Sequence, residues 1–108
     1  MSFISIGHDF QQRCAAWRME KFPDDDISWV IAKATEELGE CSRAVIGERE
    51  KRPDRGDPVS EAAQVVLVMA SLVGQFYPDR NIFVEAYDEL CRHEAILANE
   101  RQIRDQEE

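Results

Sequence analysis

An all-α fold of four helices is what this sequence predicts, and three observations predict it. Apolar residues recur at helical spacing through four segments. Three breaker clusters separate those segments: Pro23 to Asp26, Glu48 to Pro58, and Pro78 to Asn81. No stretch alternates apolar and polar residues with period two, so no sheet is expected. The predicted helices cover 7–21, 27–47, 59–77 and 82–104 of a single 108-residue domain. A chain of this size buries a small core, so a helical bundle completed by oligomerisation is expected.

The first helix ends against the Pro23 break. The second has the clearest pattern: Ile27, Val30, Ile31, Ala34, Leu38, Cys41 and Val45 share one face. Asp26 is placed to cap its start, and Gly47 lies where it is expected to stop. The third follows Asp57-Pro58, a cap and a first-turn proline. Its Val65, Val66, Leu67, Val68, Met69, Leu72 and Val73 are apolar nearly all round, which predicts packing against a second subunit as well as within the chain. The fourth is expected to bury Phe83, Tyr87, Leu90, Cys91 and Leu97, and its charged end, 102–108, is expected to fray.

Acidic residues outnumber basic ones 22 to 13, for a formal charge of −9. That balance argues against a nucleic-acid polymer or an anionic membrane as partner. A small phosphate ligand remains open if a divalent cation screens the repulsion. Cys14, Cys41 and Cys91 form no CxxC and are odd in number, so buried free thiols are expected. The first 13 residues lack a basic start with an apolar run, and 62–78 is interrupted by Gln64, Ser71 and Gln75. The expectation is a cytoplasmic protein.

The carboxylates carry the chemical signal. On a wheel centred on Ala34, Glu37 lies at about −60°, Lys33 at about −100°, Glu40 at about −120°, Trp29 at about −140° and Glu36 at about −160°. All three glutamates therefore lie on one flank of the apolar stripe. Ion pairing of Lys33 with Glu37 and of Glu40 with Arg43 is one explanation of that crowding. Glu61, in the first turn of the third helix, points with Val65, Val68 and Leu72. It is either an acid favoured by the helix dipole or a ligand. With Gln64 one turn on, the two helices offer an ExxE and an Exx(Q). Oxygen donors on facing helices suit Mg²⁺ or Mn²⁺.

Lys33-Ala-Thr-Glu36-Glu37-Leu-Gly-Glu40, then Ala44 to Gly47, a polar loop, and Glu61-Ala-Ala-Gln64-Val65-Val66 resembles the MazG-type all-α nucleoside triphosphate pyrophosphohydrolases, in particular their short single-domain members. The resemblance spans 27–101. It implies a four-helix bundle assembled as dimers or tetramers. It also implies Mg²⁺-dependent hydrolysis of a nucleoside triphosphate, or a dUTP-like nucleotide, to the monophosphate and pyrophosphate. By position, Glu37, Glu40, Glu61 and Gln64 would be metal ligands and Glu36 the base orienting water. Lys33, Asn99 and Arg101 would meet phosphates, and Trp29 or Trp17 would stack on the base unless they serve the core. The family pattern ends in Asp where this chain has Gln64. A non-catalytic nucleotide- or metal-binding module, or a structural helical oligomer, are therefore the alternative expectations.

Overall fold

The computed structural model describes residues 2–107, with the side chains of Phe3 and Ile4 left aside. It contains α1 (Phe3–Lys21), α2 (Ile27–Arg49), α3 (Pro58–Phe76) and α4 (Ile82–Glu107), and no strand among the described residues. Each helix starts on a short polar side chain, because the first backbone N–H groups of a helix have no partner inside it. Ser2 Oγ accepts from Ser5 N at 3.2 Å, Asp26 Oδ1 from Trp29 N at 2.9 Å, Asp57 Oδ1 from Val59 N at 3.2 Å and Asn81 Oδ1 from Phe83 N at 2.9 Å.

The end of α2 is a correction. Gly47 does not stop the helix, which runs on to Arg49. Lys51 stops it, in the left-handed conformation (φ 58°) where glycine is usual. Lys51 N bonds Glu48 O at 3.1 Å, and Arg52 N reaches back to Gly47 O at 2.8 Å. Gly47 serves the next segment instead. A Cβ there would lie 2.7 Å from Arg55 Cβ, so the missing side chain lets the 50–57 loop fold back over α2.

Helix α3 is the middle of a three-helix layer, with α2 along one side and α1 along the other. Val30 and Ala34 of α2 bury against Val68 and Leu72 of α3, flanked by Ile27, Met69, Val73 and Phe76. On the other side Gly74 permits close approach: a Cβ there would meet Ala15 Cβ and Gln11 O, both at 2.8 Å. Two buried polar side chains of α1 reach partners in other segments. Arg18 donates through Nε to Ser71 Oγ at 2.9 Å and pairs with Asp25 at 3.2 Å. Gln11 donates to Arg80 O and accepts from Ile82 N, both at 2.7 Å. Each satisfies what would otherwise be a costly buried polar group.

Helix α4 departs furthest from expectation. It packs against α1 through its start, where Phe83 covers Gly7 and meets Phe10 edge to face at 5.9 Å. None of its residues is buried. The expected burial of Tyr87, Leu90, Cys91 and Leu97 does not occur within the chain, since all four are exposed. Of the three cysteines only Cys14 is buried; Cys41 is half-buried. The segment expected to fray is helical through Glu107. Ile31, Leu38 and Val45, placed by sequence on the core face of α2, are also exposed. The radius of gyration is 18.0 Å, against about 13 Å for a compact domain of this length. Within one chain, the fold is a layer of three helices with a projecting fourth.

Candidate metal centre

Glu37 and Glu40, one turn apart on α2, face the first turn of α3, where Asp57-Pro58 has just fixed the start of the helix. Glu61 meets them there. One carboxylate oxygen from each of Glu37, Glu40 and Glu61 lies within 4.8 Å of the other two. Glu37 is the most enclosed, at 7 % exposed, while Glu40 and Glu61 are half-buried. Gly56 leaves room beside the cluster, since a Cβ there would come within 3.1 Å of Glu61 Oε1.

The electrostatics are those of crowded like charges. The Glu40 carboxyl is held above the usual carboxylate range, chiefly by the charge of Glu37 and then by partial desolvation, with Glu61 and Glu36 adding to it. Lys33 relieves part of the crowding. Its Nζ is 3.3 Å from Glu37 Oε1 and 3.5 Å from Glu36 Oε1, and the bond to Glu37 raises the lysine's own pKa. Among the described residues Glu40 does not pair with Arg43, so the expected second ion pair is absent. Three oxygen donors with one ammonium nearby leave net negative charge, a donor set suited to a hard divalent cation.

Two depressions flank the cluster. One, of about 230 Å³, is lined by Arg18, Phe22, Asp25, Trp29, Ala32, Lys33 and Glu36. The sequence-predicted Lys33, Trp29 and Glu36 therefore stand together, but Glu36 faces this cleft and is not part of the trio. The other depression, of about 270 Å³, includes Glu40 and Glu61 and is lined on its far side by Arg43, Arg52, Arg55 and Asp54. The loop arginines were not singled out by sequence reasoning. Their only signal was position in a basic stretch, 49–55, opposite an acidic motif. Gln64 is exposed. Asn99 and Arg101 lie on the exposed part of α4, outside the cluster and both depressions of the same chain. Trp17 is half exposed on α1 and edge-on to Phe22 at 6.0 Å. Compared with known proteins, the chain matches no family model, no curated protein and no solved structure.

Proposed function

We propose that the chain hydrolyses a nucleoside triphosphate, or a dUTP-like nucleotide, to the monophosphate and pyrophosphate with Mg²⁺ or Mn²⁺ as cofactor. The observation that carries the reading is the convergence of Glu37, Glu40 and Glu61 from two helices. The flanking depressions support it. Trp29 and Phe22 offer aromatic faces for a base, and Arg43, Arg52 and Arg55 offer donors for a phosphate tail. The order of the two acidic motifs, similar to that of the pyrophosphohydrolases, supports it independently.

Glu37, Glu40 and Glu61 would hold the cation, which when bound supplies charge neutralisation at the phosphate oxygens. Lys33 sits between the trio and the aromatic cleft and would orient the substrate between them. Glu36, next to Glu37 in sequence, exposed and lining the aromatic cleft, would take a proton from the attacking water. A P–O bond then forms at the α-phosphorus, the bridging P–O bond breaks, and pyrophosphate leaves toward the arginine-lined side.

The test is pyrophosphate release from a panel of ribo- and deoxynucleoside triphosphates with Mg²⁺ and Mn²⁺. Turnover is expected for at least one substrate, and Glu37→Gln is expected to lower it by about 10²-fold or more while leaving the helical content intact. Absence of turnover from folded protein across the panel rejects the reading. Exposed Gln64, in place of an acid, favours a second one: a module that binds nucleotide at a three-carboxylate site without cleaving it. Calorimetric binding of a non-hydrolysable triphosphate with no pyrophosphate release from the natural one would establish that alternative.

A further inference from the structure

Arg18 is the most deeply placed charge of the aromatic cleft. It is 2 % exposed, yet it lines that cleft with Phe22, Asp25, Trp29 and Lys33. Three contacts fix its guanidinium. Nε donates to Ser71 Oγ at 2.9 Å, Nη1 donates to Asp25 Oδ2 at 3.2 Å, and the guanidinium carbon lies 5.6 Å from the centre of the Phe22 ring. Ser71 is held in turn, because its hydroxyl gives its proton to Val68 O at 2.6 Å and is left to accept from Arg18. The head group therefore has one orientation before any ligand arrives, which lowers the ordering cost of binding.

Fold stability does not require this arrangement. Apolar side chains of similar volume often match or better a buried ion pair, since both charges lose their water. A guanidinium carries five N–H donors. The protein engages those on Nε and one on Nη1, and among the described residues the rest meet no acceptor. Asp25 Oδ1 likewise meets no donor there. The Asp25 side chain is 18 % exposed against 3 % for Arg18, so the cation is the deeper of the two. The cleft thus offers N–H donors at its floor and a carboxylate oxygen nearer its mouth, beside the exposed rings of Phe22 and Trp29. Lys33 joins it to the acidic trio, with Nζ 3.3 Å from Glu37 Oε1.

We infer that Arg18 and Asp25 select a nucleobase with a carbonyl oxygen beside a ring N–H, as in uracil, thymine, hypoxanthine and guanine, over cytosine and adenine. The inference rests on the nucleotide reading above and names the class of base. A base that enters edge-first along Phe22 and Trp29 puts its exocyclic group deepest. A carbonyl there accepts from the Arg18 guanidinium, and the neighbouring ring N–H donates to Asp25 Oδ1. Cytosine and adenine in the same pose turn an amine to the guanidinium and a ring-nitrogen lone pair to the carboxylate. Both contacts are then repulsive, and polar groups left unpaired in a cleft are what reject the wrong ligand.

The test compares kcat/KM with Mg²⁺ for UTP against CTP and for ITP against ATP, pairs that exchange a carbonyl for an amine. The carbonyl member of each pair is expected to lead by about 10- to 100-fold, the range of one hydrogen bond to a charged group. Arg18→Met keeps much of the volume and removes the donors, and it should bring both ratios toward one. Asp25→Asn supplies an amide that serves either kind of edge, and it should narrow them too. A ratio separates reading of the base from support of the fold, because a loosened cleft slows both members alike. Where Arg18→Met loses its helical circular dichroism, the unaltered chain and Asp25→Asn carry the test. The monophosphates UMP, CMP, IMP and AMP, followed by quenching of tryptophan fluorescence, give the same comparison without turnover. Ratios near one, or ratios favouring the amine, overturn the inference and leave the hydrolysis untouched. A carbonyl preference that both variants leave intact also overturns it. Carbonyl-selective binding of the monophosphates with no turnover of any triphosphate supports it and rejects the hydrolysis. Neither binding nor turnover overturns both.

Discussion

Glu40 shows how a single side chain reports the state of the trio. Its carboxyl binds a proton more tightly in the folded chain than in the unfolded one, mainly because Glu37 is beside it. The crowding therefore costs stability at neutral pH, and the cost vanishes as pH falls through the folded pKa into the ordinary carboxylate range. Metal-free Glu40→Gln is expected to melt higher than the unaltered chain at pH 7, with the two melting curves merging near pH 4 and below. In the same variant the rise in melting temperature produced by Mg²⁺ should be lost. Thermal melts at two pH values, with and without the ion, check both statements; a variant that melts lower at pH 7 without metal would show that Glu40 is already compensated. At this scale the sequence was informative where chemistry is local. Asp26 and Asp57 cap the helices they precede, and an ExxE spacing necessarily puts Glu37 and Glu40 on one flank. It was uninformative where a partner is distant in sequence. Arg18 reads as an ordinary charged residue of α1, because its partners Ser71 and Asp25 lie on another helix and in a loop.

Between elements, the attachment of α4 rests on few groups. Phe83 fits over Gly7 beside Phe10, and Gln11 grips both ends of the turn into α4 through Arg80 O and Ile82 N. Gln11→Ala removes both bonds and leaves two backbone groups without a partner, at a cost of about 1–3 kcal/mol. Urea unfolding should show that loss, and amide exchange at Ile82 should rise above that of the α2–α3 core. Gln11→Glu discriminates further. A carboxylate still accepts from Ile82 N but has no donor for Arg80 O, so an intermediate loss is expected. Equal stability of all three proteins would mean that the turn is held by Phe83 alone. Helix existence and ends were largely legible in the sequence, but which face of each helix is covered was not. The α2 apolar set spans a wide arc, and periodicity treats Val30 and Ile31 alike. Only the position of α3 makes the first core and the second surface. Tyr87, Leu90 and Leu97 follow the pattern of a buried seam on α4 as well as any core helix does, and the pattern carries no information on whether the cover comes from the same chain.

For the whole molecule, the openness of the chain makes stability the quantity that would reveal association. The all-round apolarity of α3 predicts cover from a second subunit, and the single chain is open, with a radius of gyration of 18.0 Å and no buried residue on α4. If the folded chain exists mainly as a pair, dilution favours the unfolded state by mass action, and the melting temperature depends on concentration. Unfolding of two 108-residue chains carries an entropy of roughly 0.45 kcal/mol/K at about 2.1 cal/mol/K per residue. Each tenfold dilution changes the free energy of the pair by about 1.4–1.5 kcal/mol, so it should lower the melting temperature by about 3 °C. A chain that folds alone would melt at one temperature at every concentration. Circular dichroism melts over a hundredfold range, accumulating a shift of about 6 °C, separate the two cases without any substitution and without any assumption about what the carboxylates bind.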